Sequence, residues 1–142
     1  MGVAQRFGRK GFDVIAYDSR AHGDSGGKAC TYGYYEKQDL MRVLDTVTVR
    51  PVVLLGASLG AAVALQAAAE DDRIAGVVAA EVFSDLSTIV RERAPFFVTR
   101  QTIQKALVLA EREGAFQVHE VSPVAAAARI RVPVLIIHGA RD

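Results

Sequence analysis

Several things are scarce in this sequence, and each scarcity closes off a class of protein. The 142 residues include one cysteine, Cys30, so no internal disulfide framework is expected and a reducing, cytoplasmic setting fits. Charge of one sign is scarce too. Seventeen basic and sixteen acidic residues leave a net charge of +1, with no long run of either sign. That balance offers no footprint for nucleic acid or another polyanion. The three histidines, His22, His119 and His138, show no metal-ligand spacing, so no metal is expected, and nothing points to a cofactor. The basic start, Met1 to Lys10, leads into no apolar run and is not read as a signal peptide. No repeat or low-complexity linker divides residues 1–142, which read as one domain.

A long hydrophobic run occurs once, from Val52 to Ala69. Gly56, Ser58, Gly60 and Gln66 interrupt it, so no membrane span and no membrane partner are expected. The run reads instead as two elements. Val52 to Leu55, bounded by Pro51 and Gly56, is a short strand buried on both faces. From Leu59 onward, leucine, valine and alanine are good helix formers. Gly56-Ala-Ser-Leu-Gly60 lies between them. A strand that turns at once into a helix holds its middle residue at a positive φ, and strand and helix pass too closely for side chains two positions away. Gly56 and Gly60 meet that demand. The outcome is a Ser58 hydroxyl exposed at a helix N-terminus, where free N–H groups, that of Leu59 first, favour negative charge. A dinucleotide-binding turn would want glycine where Ser58 stands.

Taken in order, residues 1–9 read as the end of a helix closed by Gly8 or Gly11. Phe12–Tyr17 reads as a first strand, followed by a polar, glycine-rich loop from Asp18 to Gly27. A helix is expected from about Tyr34 to Thr48, with Leu40, Leu44 and Val47 on one face and Glu36, Lys37 and Arg42 away from it. The elbow strand and helix follow, then a third strand, Ile74–Ala80. Residues 83–121 begin irregularly, contain an amphipathic helix from Thr99 to Glu113 stopped by Gly114, and suggest a small helical lid. Ser122 caps a short helix with Pro123 in its first turn, and Val132–Ile137 is the fourth strand. Strands alternating with helices predict an α/β architecture: a doubly wound, mostly parallel sheet of about four strands with helices on both faces. Chemistry in such sheets gathers at the carboxyl ends of the strands, and four segments leave those ends: the loop from Asp18, the Ser58 elbow, the Glu81–Asp85 loop and His138–Asp142, so Ser58 and Asp142 would share one rim.

Three motifs then carry a resemblance to the α/β-hydrolase superfamily, in its serine-hydrolase branch of esterases, lipases and related peptidases. Tyr17-Asp-Ser-Arg-Ala-His-Gly-Asp-Ser25 resembles the family's D-x-R-G-x-G-x-S loop, with Ala21 where glycine is usual. Gly56-Ala-Ser-Leu-Gly60 resembles its nucleophile elbow, and Pro133-Val-Leu-Ile-Ile-His-Gly-Ala-Arg-Asp142 resembles the strand and loop that bear the triad acid. The resemblance implies an acyl-enzyme at Ser58, an oxyanion held by the Leu59 N–H, and Asp142 orienting a histidine, with a small acyl compound as substrate. In the family that histidine follows the acid, and a second oxyanion donor precedes the first motif. Neither segment is among residues 1–142. In the family, too, another strand lies between those that match 12–18 and 51–57. His22 is expected to serve its own loop, His138 to pack or bond to backbone, His119 to be exposed, and Arg20 to tie its loop. The isolated chain is therefore expected to turn over little or no substrate. The alternative is a non-catalytic fragment, a pseudoenzyme or one part of a split enzyme, whose incomplete sheet would favour self-association. Residues 83–121 would line an acyl or leaving-group pocket through Phe96, Phe97, Ile103 and Leu107, or simply pack.

Overall fold

Three parallel strands form the sheet: β1 (Val52–Ala57), β2 (Ile74–Ala80) and β3 (Val134–Ile137), side by side in that order. The computed structural model describes residues 2–139. Leu54 and Gly56 stand opposite Val77 and Ala79, which in turn face Val134 and Ile136. Side chains alternate across a strand, so this row shares one face. Helix α3 (Leu59–Ala68) packs against that face, over β1 and β2. Its Ala61, Ala62, Ala64 and Ala67 are buried, and their small side chains let the helix lie close. Helix α2 (Glu36–Asp45) covers the far side of α3 with Leu40 and Leu44. Each such leucine or isoleucine taken from water contributes about 2 kcal/mol.

A second, smaller core lies under residues 86–121. Helix α4 (Leu86–Arg93) and helix α5 (Arg100–Gly114) are followed by a single 3-10 turn, Val118–Glu120. Leu86, Phe116, Val118 and Val121 form the buried centre, with Tyr34 and Tyr35 packed against it. Tyr35 donates its hydroxyl to the Ala115 carbonyl, and the Tyr34 and Phe116 rings lie 5.9 Å apart. The short helix α6 (Pro123–Ala127) returns the chain to α3, capped by the Ser122 hydroxyl, which accepts from the Ala125 N–H. At the amino end, α1 (Val3–Gly8) is a six-residue helix with no buried side chain.

Several expectations change. The expected first strand, Phe12–Tyr17, is unpaired: residues 13–17 make no backbone hydrogen bond among the described residues. A strand exists only where a neighbour takes its N–H and C=O groups, and no described strand lies beside this one. Paired strands therefore number three among the described residues, where about four were expected. Among the described residues the sheet is covered on one face only, over β1 and β2, and β3 is exposed on both faces. On the uncovered face, Val53, Leu55, Leu135 and Ile137 are between 51% and 59% exposed. The region after Phe83 is not irregular, because Asp85 caps α4 by accepting from the Thr88 N–H. Gly114 does not stop α5. It is the last helical residue, and Ala115 takes the left-handed turn at φ 50°. Glu36 is buried rather than turned outward, since spacing of four puts it on the stripe of Leu40 and Leu44.

Candidate active site

The chain passes from β1 to α3 through one residue, Ser58. Its backbone stands at φ 48°, ψ −112°, a conformation that costs a non-glycine residue on the order of 1–3 kcal/mol. Neighbouring groups hold it there. The Ser58 N–H donates to the Ala80 carbonyl at 2.9 Å, fastening the bend to the end of β2, and the Ser58 carbonyl accepts from the Ala62 N–H at 3.0 Å. A Cβ on Gly56 would overlap the Gly60 carbonyl and come within 2.5 Å of the Ala61 nitrogen. Glycine at 56 is thus a steric requirement. Gly60 is different, because a Cβ there would meet nothing within 4 Å. The lack of room expected at both positions holds at Gly56 alone, since it is the strand residue that abuts the helix backbone.

Ser58 is exposed, and its hydroxyl makes no capping bond to α3. The first N–H groups of a helix have no partner within it. That of Leu59 has no acceptor among the described residues. The arrangement presents a free hydroxyl beside free donors at the positive end of a helix dipole.

Register puts the ends of all three strands level. Ala57 pairs with Ala80, and Ala80 with Ile137. One residue further on come Ser58, Glu81 and His138. Glu81 donates its N–H to the Ile137 carbonyl at 2.8 Å and is itself left-handed, at φ 51°. No sequence signal marks Glu81 beyond its place after a buried strand. Asp142, the expected acid, lies outside the described residues.

The histidines are committed elsewhere or exposed. His22 donates from Nδ1 to the Arg20 carbonyl at 2.9 Å, and His138 Nδ1 lies 3.1 Å from the Gly139 carbonyl oxygen. His119 is exposed on the 3-10 turn. None is bonded to Ser58. Arg20 ties its loop to α2 by a two-pronged pair with Asp39, at 2.5 and 2.8 Å, and lies over the Tyr35 ring at 4.9 Å. Hydrogen bonding to Asp39 pushes the Arg20 guanidinium pKa up. Asp18 accepts from the Asp24 N–H at 3.1 Å, while its carbonyl accepts from the Ser25 hydroxyl at 2.6 Å.

Two further polar groups had no functional reading in the sequence. Glu36, though 1% exposed, is fully satisfied: its carboxylate accepts from the N–H groups of Thr31 and Gly33 and from the Thr31 hydroxyl, each at 2.7 Å. That knot fixes the loop entering α2. Cys30 is half-buried, and burial pushes its thiol pKa up, which disfavours the reactive thiolate.

A cleft of about 770 Å³ lies between α4 and α5, lined in part by Phe96, Ile103 and Leu107. Neither Phe97 nor Ser58 lines it. A second hollow, of about 440 Å³, sits under the Asp18 loop against Asp39 and Val43. Among the described residues no cluster of three potential metal ligands occurs, and no helix is long and apolar enough to cross a membrane.

Residues 1–121 match the family described as "alpha/beta hydrolase fold". The chain is also similar, at 33% identity over 142 residues, to the "Uncharacterized protein YqkD" of Bacillus subtilis (strain 168). The alignment covers 93% of this chain and 47% of that protein, so the chain spans about half the length of the curated relative it matches.

Proposed function

The chain belongs to the α/β-hydrolase family, and from that premise we propose that it supplies the nucleophile of a serine hydrolase acting on ester or amide acyl substrates. The observation that carries the reading is the Ser58 hinge: a strained, exposed serine between strand and helix, its hydroxyl free of any capping role. Ser58 Oγ attacks the substrate carbonyl and forms an acyl-enzyme, and the Leu59 N–H steadies the oxyanion. A histidine oriented by Asp142 takes the serine proton and returns it to the leaving group. Residues 83–121 act as a lid over the acyl or leaving group.

The histidine has no candidate bonded to Ser58 among the described residues, so the chain of 142 residues alone is expected to give little turnover. Exhaustive treatment with a fluorophosphonate, followed by peptide mapping, tests the nucleophile. An adduct on Ser58 that disappears in Ser58→Ala supports it, and modification elsewhere in the folded chain contradicts it. A rapid Ser58-dependent burst of p-nitrophenol from a short ester would instead show that the chain carries its own base.

A second reading, a subunit completed by a partner or a second copy, is favoured by one observation. Val53, Leu55, Leu135 and Ile137 form an apolar sheet face that nothing covers among the described residues. Faces of this kind associate. Sedimentation as a clean monomer would argue against it.

A further inference from the structure

Glu81 takes no part in the proposed chemistry, yet its position is unusual in three ways. First, it is one of five non-glycine residues with positive φ among the described residues, and it sits beside another of them, Ser58. Backbone strain of this kind is retained where the surroundings over-determine it, which happens at working sites. Second, it is held from both sides. The carbonyl of Ala80, directly before it, accepts the Ser58 N–H at 2.9 Å, and its own N–H donates to Ile137 at 2.8 Å. Neighbouring parallel strands are about 5 Å apart, so the Glu81 backbone lies about one strand spacing from that of Ser58. Third, Glu81 is exposed, and among the described residues its carboxylate has neither a hydrogen bond nor a salt bridge. Two charges of the Asp18 loop are engaged elsewhere, Arg20 by Asp39 and Asp18 by the Asp24 N–H. Among the described residues the result is a carboxylate without a partner, carried on backbone about one strand spacing from that of the exposed serine.

We infer that Glu81 sets substrate preference at this site, favouring acyl compounds that carry an ammonium or guanidinium group beside the reacting carbonyl and disfavouring anionic ones. The inference rests on Ser58 being the reactive group. Two unit charges a few ångströms apart at a wet surface interact enough to change encounter and binding several-fold, and salt weakens the effect within a Debye length of about 8–10 Å. The N-terminus of α3 pulls the other way, toward anions. The test must therefore compare reagents with and without the Glu81 charge.

A thiol at position 58 reports that field without needing a catalytic base. In a Ser58→Cys, Cys30→Ser background, rates of modification by cationic, neutral and anionic methanethiosulfonates are measured, each normalised to a free thiol. The cationic-to-anionic ratio is expected to fall about 10-fold on Glu81→Gln, to invert on Glu81→Lys, and to shrink in 0.5 M salt. A ratio unchanged by Glu81→Gln, with the neutral reagent still reacting freely, overturns the inference and leaves Ser58 standing as the exposed group. A thiol closed to all three reagents in the folded chain sinks the Ser58 reading, and the inference with it.

Discussion

Two apolar runs of six residues, Phe12–Tyr17 and Val52–Ala57, end in opposite states. Both are rich in strand formers, both are followed by a turn, and both have a polar residue at that turn, Asp18 in one and Ser58 in the other. Val52–Ala57 is hydrogen-bonded to β2 along its length and packed beneath α3. Phe12–Tyr17 is unpaired and exposed. The difference lies outside the runs themselves. A strand is a property of a pair, and β1 has both a neighbour and a helix to cover it, whereas the other run has neither among the described residues. The same rule divides β1 from face to face: Leu54 is buried against α3, and Leu55 points the other way and is 51% exposed.

That contrast can be broken or sharpened by substitution. The largest effect is expected at the hinge. Gly56→Ala should cost about 3 kcal/mol or more, because the new methyl would overlap helix backbone that cannot move aside. Gly60→Ala, with open space around it, should be neutral or stabilising by up to about 1 kcal/mol. Denaturant unfolding checks the pair, and equal costs would mean the strand and helix do not approach as described. Next comes the sheet. Leu54→Ala should cost about 3 kcal/mol and Leu55→Ala under about 1, and a large loss at Leu55 would show that something covers that face in solution. At the end of α5, Ala115→Gly should raise stability by about 1 kcal/mol, since glycine takes the left-handed turn without the Cβ penalty. The smallest effect is electrostatic. Hydrogen bonds from Arg73 hold the Asp71 carboxyl below the usual carboxylate range. A carboxyl whose pKa is lower folded than unfolded adds stability above its unfolded value, near pH 4, and loses that stability as pH falls through its folded value. Arg73→Met should therefore flatten the fall in stability below pH 4, seen as a shallower acid-unfolding slope.

The local features were legible in the sequence, and the paired ones were not. Glycine at 56, the helix formers after Leu59, the Ser122 cap with Pro123, and the apolar run at Ile74–Ala80 each state their structure within a few residues. The family fold followed from three such motifs in order. Failures came where a distant partner decides the outcome. Phe12–Tyr17 has the composition of a strand but has no neighbour among the described residues. Glu36 looked like a surface residue until the Thr31–Gly33 turn folded back to donate to it. Gly114 looked like a helix stop, but a Cβ there would press on the Phe116 ring, and the reversal falls to Ala115. Glu81 was legible only as the start of a loop at the strand ends, without a role, and the register of β1, β2 and β3 brings it level with Ser58.

The central claim is that the backbone hinge thrusts position 58 out of the core and into solvent at the tip of α3. Alkylation by iodoacetamide of Ser58→Cys in the Cys30→Ser background, compared in native buffer and in urea, measures this directly. The account predicts that the folded chain reacts at least as fast as the unfolded one. Protection of that thiol until the protein unfolds would contradict it.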